Sequence, residues 1–306
     1  MKTFKLGKGI LSVPAVGLGF WRAGEKDTCL LEELISTSID LGINFFDHAD
    51  IYGGGLSEEK FGIAFENLGI KREDVFIQSK CGIVPRVMYD FSEEHIIRSV
   101  EGCLRRLKTD YLDVLLLHRP DALVEPEEVA SAFDKLHSSG KVHHFGVSNH
   151  RPSQIELLKK YVKQDIEVNQ VQFSIACSGM ISSGFETNML SDGAPDRDGG
   201  VIDYCRLNDI TLQAWSPFQA ANRGGVFIGN EAFPQLNLIL QEIAEKYSVS
   251  KTTIAGAWIL RHPAHIQMMA GTMNPDRLGE IAKSVEIELS REEWYRLYLA
   301  AGHILP

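Results

Sequence analysis

Four ionisable side chains stand at or just beyond the ends of three short apolar segments. Asp47 ends the first segment and Tyr52 follows five residues later, while Lys80 ends the second and His118 the third. One such charge alone is most simply explained by exposure to water at the end of a strand. Four at matching positions favour a functional site, because perturbed ionisable groups concentrate there.

These residue types suit the reduction of a carbonyl group. Asp47 would hold Lys80 in place, and the ammonium of Lys80 would lower the pKa of Tyr52 toward working pH by favouring the phenolate. Tyr52 could then exchange a proton with the substrate, and His118 could orient a substrate oxygen. In carbonyl reduction a hydride reaches carbon while a proton reaches oxygen, so Tyr52 and His118 would stabilise the developing alkoxide.

The segments that carry these residues belong to a repeating pattern of strands and helices. Eight apolar runs of strand length cover residues 15–19, 44–49, 75–80, 112–118, 144–148, 168–173, 211–216 and 267–271. Helical spacing of apolar residues covers 28–41, 57–68, 92–107, 126–139, 152–162, 201–208, 235–247, 251–261, 275–284 and 291–300. Such alternation predicts a parallel sheet, either a closed barrel or an open doubly wound sheet.

Several local signals favour the closed (β/α)8 TIM barrel. Gly17-x-Gly19 lacks the third glycine at a helix start that a dinucleotide-binding open sheet would carry. Residues 2–13 predict an N-terminal β-hairpin cap, and Ser57, Ser92 and Ser153 are predicted helix N-caps. Long loops after Phe173 and Pro217 would lie at the C-terminal face, where barrel sites form. Without a linker-like stretch, residues 1–306 are interpreted as one domain.

Composition excludes several classes of function. The net charge of −10, from 31 basic and 41 acidic residues, disfavours a nucleic-acid surface. No apolar stretch approaches the roughly 20 residues of a membrane span. The basic N-terminus resembles a signal peptide, but Pro14 and glycines interrupt its apolar run. Five single cysteines predict reduced thiols and a cytoplasmic location, and neither they nor the histidines show metal-ligand spacing.

Longer motifs run through nearly the whole chain. Residues 42–53 read Gly-Ile-Asn-Phe-Phe-Asp-His-Ala-Asp-Ile-Tyr-Gly and are followed by Ser57-Glu58. Later motifs are Lys80, Leu116-Leu117-His118, Gly146-Val147-Ser148-Asn149, Asn169-Gln170, Ala214-Trp215-Ser216-Pro217 and Gly271-Thr272-Met273-Asn274-Pro275-Asp276-Arg277. In this order they resemble the aldo-keto reductase superfamily, and within it the bacterial YdhF-type oxidoreductases.

The resemblance implies a barrel that binds NADP(H) across its C-terminal mouth, with Asp47, Tyr52, Lys80 and His118 as a catalytic tetrad. Trp21 would line the substrate side together with Tyr52 and His118. The implied cofactor contacts are Gly19, Phe20, Asp47, Ser148, Asn149, Gln170, Trp215, Ser216, Pro217, Phe218, Gly224, Gly225, Gly271, Thr272, Arg277 and Glu280.

Three of these groups have specific implied roles. Ser148, Asn149 and Gln170 would hydrogen-bond the nicotinamide carboxamide. Trp215 would stack on the nicotinamide ring, since a planar aromatic side chain offers a stacking surface. Arg277 would face the 2′-phosphate, which suits a guanidinium. Many family members have Lys at the position of Gly271, so the preference for NADPH over NADH is expected to be weaker here.

Three functions remain open at this point. The first is an NADPH-dependent aldehyde or ketone reductase that acts on a small carbonyl compound. The second is a nucleotide-binding redox sensor with little turnover, like the channel-associated members of the superfamily. The third is a metal-dependent barrel hydrolase. The short helix predicted after Ser290 leaves the pocket open, with specificity set by the loops after Lys80, His118 and Phe173.

Overall fold

The computed structural model describes residues 1–9, 11–221 and 224–306, and twelve strands lie within these ranges. In chain order they are β1 (Thr3–Lys5), β2 (Ser12–Pro14), β3 (Val16–Gly19), β4 (Phe45–Asp47), β5 (Phe76–Cys81), β6 (Ile83–Val84), β7 (Met88–Tyr89), β8 (Leu112–Leu117), β9 (Val142–Ser148), β10 (Ile166–Gln172), β11 (Thr211–Trp215) and β12 (Gln267–Ala270). Eight of them alternate with helices as the sequence predicts.

Those eight strands form a closed parallel barrel in the order β3, β4, β5, β8, β9, β10, β11 and β12. Closure is made by β12 and β3, where Met268 pairs with Val16. The register places Gly19 opposite Asp47 and Asp47 opposite Gln78. The barrel prediction is therefore confirmed, and the ends of neighbouring strands share one mouth.

The two faces of the barrel wall pack against different partners. An extensive apolar core joins the outer face to the surrounding helices. Inside, a smaller apolar cluster includes Phe45, Leu116 and Val168, and it is closed from below by Leu6 and Val13. Val13 lies in the antiparallel β1–β2 hairpin and Leu6 in its turn, so the predicted N-terminal cap is confirmed.

Eleven α-helices lie within the described ranges. They are α1 (Thr28–Asp40), α2 (Leu56–Leu68), α3 (Glu93–Leu107), α4 (Pro126–Ser138), α5 (Pro152–Lys159), α6 (Gly179–Phe185), α7 (Val201–Leu207), α8 (Pro234–Tyr247), α9 (Lys251–Leu260), α10 (Pro275–Ala282) and α11 (Arg291–Ala300). Ser92 caps α3 by accepting from the His95 amide, as predicted. The N-cap predictions for Ser57 and Ser153 are wrong. Helix α2 begins at Leu56 and the Ser57 hydroxyl accepts from the Gly24 amide instead, while α5 begins at Pro152 with Arg151 at its N-cap position.

The connections at the mouth contain structure that the sequence pattern did not predict. The segment after Phe173 contains α6, and β6 pairs with β7 in a short hairpin after Lys80. In the segment after Pro217, Gln219 and Val226 form an antiparallel bridge. Across the parts of the chain that the structure describes, no helix is both long and apolar enough to cross a membrane.

Candidate active site

The four chemically active side chains meet at the C-terminal mouth of the barrel. Asp47 ends β4 and pairs with Gln78 of the neighbouring strand β5, and Lys80 lies two residues beyond Gln78 in that strand. The Lys80 Nζ donates to Asp47 Oδ1 at 2.7 Å and to the His48 carbonyl at 2.6 Å. It lies 3.3 Å from the Tyr52 hydroxyl. The structure thus places Lys80 between a carboxylate and a phenol.

His118 completes this group next to the tyrosine ring. It directly follows β8, and its ring meets Tyr52 edge to face with centroids 5.9 Å apart. We refer to Asp47, Tyr52, Lys80 and His118 as the tetrad. The sequence predicted this clustering, and the structure brings all four residues together.

The contact with Asp47 decides the charge of Lys80. The Lys80 side chain is fully buried, which alone would favour the neutral amine. The adjacent Asp47 carboxylate, with a smaller contribution from Tyr52, outweighs this and raises the pKa of Lys80 above its ordinary value. Lys80 is therefore an ammonium that is held in place by Asp47 and buried from water.

The expected lowering of the Tyr52 pKa is wrong in its net direction. Burial raises the pKa of Tyr52 above its ordinary value of 10.0, and this outweighs the opposing effect of Lys80. Removing a phenolate from water costs more free energy than the attraction of one nearby ammonium recovers. Tyr52 is consequently a neutral phenol at physiological pH, the form that donates a proton.

Burial also keeps His118 neutral. Desolvation, followed by repulsion from Lys80 and Arg119, lowers the pKa of His118 well below 6.5. Its Nδ1 is buried and has no hydrogen-bond partner among the described residues. Arg119 itself was missed by sequence reasoning. Its guanidinium lies 5.9 Å from the Trp215 ring centroid, and its place directly after a strand-end histidine was the available signal.

The residues assigned to the nicotinamide carboxamide form a connected row above the tetrad. Ser148 ends β9 and donates to the Gln170 carbonyl at 2.8 Å. The Asn149 amide donates to the Ser148 hydroxyl at 2.8 Å and accepts from Trp215 Nε1 at 3.0 Å. Three adjacent strands thus place amide and hydroxyl groups beside one half-exposed indole ring. This set of donors and acceptors fits a nicotinamide with its carboxamide.

The rim of the mouth carries the residues assigned to the remainder of the nucleotide. Ser216 and Gly225 have left-handed backbone, with φ of 52° and 76°, in the loop after β11. Pro217 is buried in that loop, Phe218 is half-buried, and a Cβ on Gly224 would lie 3.0 Å from the Ala220 Cβ. The described residues of this loop therefore pack closely against one another.

The start of α10 forms the outer part of the rim. Arg277 is exposed in the first turn of this helix, as a phosphate contact requires. Thr272 is buried and accepts from the Asn274 amide at 3.2 Å, while the Glu280 carboxylate accepts from Ser250 at 3.0 Å. An exposed guanidinium close to a helix N-terminus fits an anionic group.

Comparison with known proteins identifies the family of this chain. The model of the Aldo/keto reductase family matches residues 15–298. The chain belongs to the aldo/keto reductase family.

Relatives in this family cover almost the entire chain. Uncharacterized oxidoreductase YcsN of Bacillus subtilis is 35% identical over 94% of both chains. A 6-dehydroglucose reductase of Agrobacterium fabrum is 33% identical over 95% of both, and oxidoreductase YdhF of Escherichia coli is 33% identical over 94% of both. A putative voltage-gated potassium channel subunit beta of Schizosaccharomyces pombe is 28% identical over 92% of this chain and 87% of its own.

Solved structures of family members share the barrel. An aldo-keto reductase from Klebsiella pneumoniae in complex with NADPH has a TM-score of 0.80 at 26% identity, covering 100% of this chain and 96% of the other. The thermostable aldo-keto reductase Tm1743 has a TM-score of 0.79 at 30% identity, covering 98% and 100%. The family assignment and the oxidoreductase class are thereby established.

Two positions of this aldo/keto reductase refine the predicted mouth. Phe20 is fully buried and stacks on His48, with ring centroids 4.9 Å apart, so only its backbone is available for the predicted cofactor contact. Trp21, in contrast, is 47% exposed. A Cβ on Gly271 would lie 3.0 Å from Trp21 Nε1, so Trp21 occupies the space that a larger side chain at 271 would need.

Sequence reasoning also missed an acidic pair near the tetrad, formed by the buried Glu58 and the partly buried Asp50. Glu58 lies in the first turn of α2, where an acid suits the helix dipole, but its side chain is completely buried. It accepts from the Ser79 hydroxyl at 2.6 Å and from Arg106 Nε at 2.8 Å. Burial, then repulsion from Glu58, raises the pKa of the nearby Asp50 to about 7.

This shift predicts that Asp50→Asn stabilises the protein at alkaline pH. Unfolded Asp50 ionises near its ordinary pKa of 3.8, whereas the folded state holds the proton until about pH 7. Stability is therefore lost as pH rises from about 4 to about 7, and the loss is complete above that window. At pH 8 the variant should gain about 2–4 kcal/mol in free energy of unfolding.

Urea unfolding of both proteins at pH 4 and pH 8 checks the prediction about Asp50. The stability difference should be large at pH 8 and small at pH 4. An equal difference at both pH values would show that the buried carboxyl group does not titrate as described.

Proposed function

We propose that this protein reduces small aldehydes or ketones to alcohols with NADPH, and that Tyr52 donates the proton. The observation that supports this proposal most directly is the position of the Lys80 Nζ, 2.7 Å from Asp47 Oδ1 and 3.3 Å from the Tyr52 hydroxyl. An ammonium so placed stabilises negative charge on the phenol oxygen only once the proton has left. It therefore favours the transition state over the ground state.

Each tetrad residue has one task in this proposal. NADPH, when bound, supplies the hydride that reaches the carbonyl carbon. Tyr52 donates its proton to the carbonyl oxygen as negative charge develops there. The neutral His118 hydrogen-bonds the same oxygen and fixes its direction, while Asp47 keeps Lys80 beside Tyr52. The neutral state of Tyr52 supports this direction of proton transfer.

Several features support NADPH as the nucleotide. The row formed by Ser148, Asn149 and Gln170 beside Trp215 suits a nicotinamide, and Arg277 on the rim suits the 2′-phosphate. The structural relative from Klebsiella pneumoniae is described as a complex with NADPH.

Among the described residues, no three His, Cys, Asp or Glu side chains are grouped as metal ligands.

Turnover distinguishes this proposal from a redox sensor of the channel-subunit type. NADPH loss should be followed at 340 nm with a panel of small aldehydes, ketones and 6-dehydroglucose, the compound in the name of a relative. The alcohol product should form in equal amount to the NADPH consumed. Tight NADPH binding without turnover on the whole panel would contradict the reductase and favour the sensor.

Arg277→Ala is expected to weaken NADPH binding about tenfold or more and to leave NADH binding within about twofold. The reason is that the variant would lose a charge-assisted contact to the 2′-phosphate of NADPH, a group that NADH lacks. Calorimetric titration of both nucleotides measures the two dissociation constants. Arg291→Ala is the matched control, because Arg291 is also exposed in the first turn of a helix. Equal weakening of both nucleotides would refute the 2′-phosphate contact.

A further inference from the structure

Four glutamine side chains form a layer inside the barrel, directly beneath the tetrad. Gln78, Gln170, Gln213 and Gln267 come from four strands, and each is at most 2% exposed. A buried amide costs free energy unless its donors and acceptor are paired. Four buried amides in contact are therefore stable only as a connected set, which we call the glutamine network.

The network begins at a group that can only accept a hydrogen bond. Gln267 Nε2 donates to the Pro14 carbonyl at 2.7 Å. Because that carbonyl cannot donate, Gln267 must direct its amide nitrogen toward it. Its Oε1 then accepts from Gln213 Nε2 at 2.9 Å. The backbone at the base of the barrel thus sets the orientation of two successive amides.

Gln213 transmits this orientation to the other two amides. Its Nε2 also donates to Gln78 Oε1 at 3.0 Å. Its Oε1 accepts from Gln78 Nε2 at 2.9 Å and from Gln170 Nε2 at 3.0 Å. Gln170 must therefore direct its nitrogen toward the Gln213 oxygen, while Gln78 pairs both its amide nitrogen and its amide oxygen with Gln213.

The network ends at a second acceptor, the Asp47 carboxylate. Gln78 Nε2 and Gln170 Nε2 donate to Asp47 Oδ1 at 2.6 and 3.1 Å, the same oxygen that Lys80 contacts. An ionised carboxylate, like a carbonyl, only accepts. Both ends therefore require the same orientation of every amide between them. The Gln170 Oε1 accepts no hydrogen bond from any residue that the structure describes.

We propose that the glutamine network positions the reaction site above it, with Gln213 and Gln267 as positioning residues. It reserves the Gln170 amide oxygen as the acceptor for the carboxamide N–H of a bound nicotinamide, and it holds Asp47 against Lys80. This inference rests on the proposed function. Gln213 and Gln267 form no hydrogen bond with the tetrad among the described residues, so they act through Gln78 and Gln170.

The test is a double-mutant cycle on NADPH affinity, measured by calorimetry. Gln213→Met keeps the side-chain length but removes every hydrogen bond of that amide. In the otherwise unchanged protein it should weaken NADPH binding about tenfold, the size of one lost hydrogen bond. In a Gln170→Met background, Gln213→Met should weaken NADPH binding less than twofold, because the Gln170 amide that Gln213 orients is already absent.

Two further variants complete the design. Gln164→Met is the matched control, since this half-buried glutamine lies outside the network and donates to Asp134. It should leave NADPH affinity unchanged. Gln267→Met serves where Gln213→Met does not fold, and it should show the same dependence on Gln170.

The possible results separate the network from the proposed function. Equal weakening by Gln213→Met in both backgrounds, or unchanged affinity in the folded variant, would overturn the positioning role while leaving the reductase proposal intact. Failure of the unaltered protein to bind NADPH would overturn the proposed function, and the carboxamide contact of Gln170 with it.

Discussion

Tyr52→Phe is expected to slow NADPH-dependent carbonyl reduction by about a thousandfold. The substitution keeps the aromatic ring and its contact with His118 but removes the hydroxyl that lies 3.3 Å from Lys80 Nζ. NADPH affinity should stay within about twofold, because the change removes an interaction made only during the reaction. Steady-state kinetics and nucleotide titration measure the two quantities.

A second tyrosine provides the control. Tyr204 is remote from the mouth, and its hydroxyl donates to Glu156 on the surface. Tyr204→Phe makes the same chemical change and should leave the rate unaltered. If the two variants reduce substrate equally well, the proton comes from a group other than Tyr52.

Lys80→Met is expected to abolish measurable reduction and to lower the free energy of unfolding by about 3–5 kcal/mol. The loss of stability follows from the buried carboxylate of Asp47, which would lose its cationic partner at 2.7 Å. The loss of activity has a separate cause, since no ammonium would then stabilise the Tyr52 oxygen. Urea unfolding and an NADPH assay measure the two effects independently.

The double variant Asp47→Asn/Lys80→Met separates these causes. Neutralising both partners removes the unpaired buried charge, so most of the lost stability should return. Activity should remain absent, because the ammonium is still missing. A double variant as unstable as Lys80→Met would contradict the ion-pair explanation, and recovered activity would contradict the role of Lys80.

The sequence predicted the barrel and the tetrad well, because both follow from strand periodicity. Apolar runs mark the eight strands, and the polar residues that end them must meet wherever parallel strands close into a barrel. The same reasoning could not give the net pKa shift of Tyr52. That shift depends on how completely the folded chain removes water from the phenol, a quantity that no motif contains.

Other features depend on contacts between distant segments. Phe20 directly follows β3 at the mouth of the barrel, yet its ring packs against His48 and Phe61 in an aromatic cluster. The glutamine network needs Pro14 and Gln267 to meet across 253 positions of sequence. A periodicity of two does place Gln78 and Lys80 on the same side of β5, but it does not identify their partners.

The most direct test of the tyrosine as proton donor is a single-turnover measurement of NADPH oxidation, with enzyme in excess over nucleotide and an aldehyde present at saturation. This experiment isolates the reaction step from product release. We expect Tyr52→Phe to slow that step by about a thousandfold at pH 7. A single-turnover rate within a few-fold of that of the unaltered protein would contradict proton donation by Tyr52.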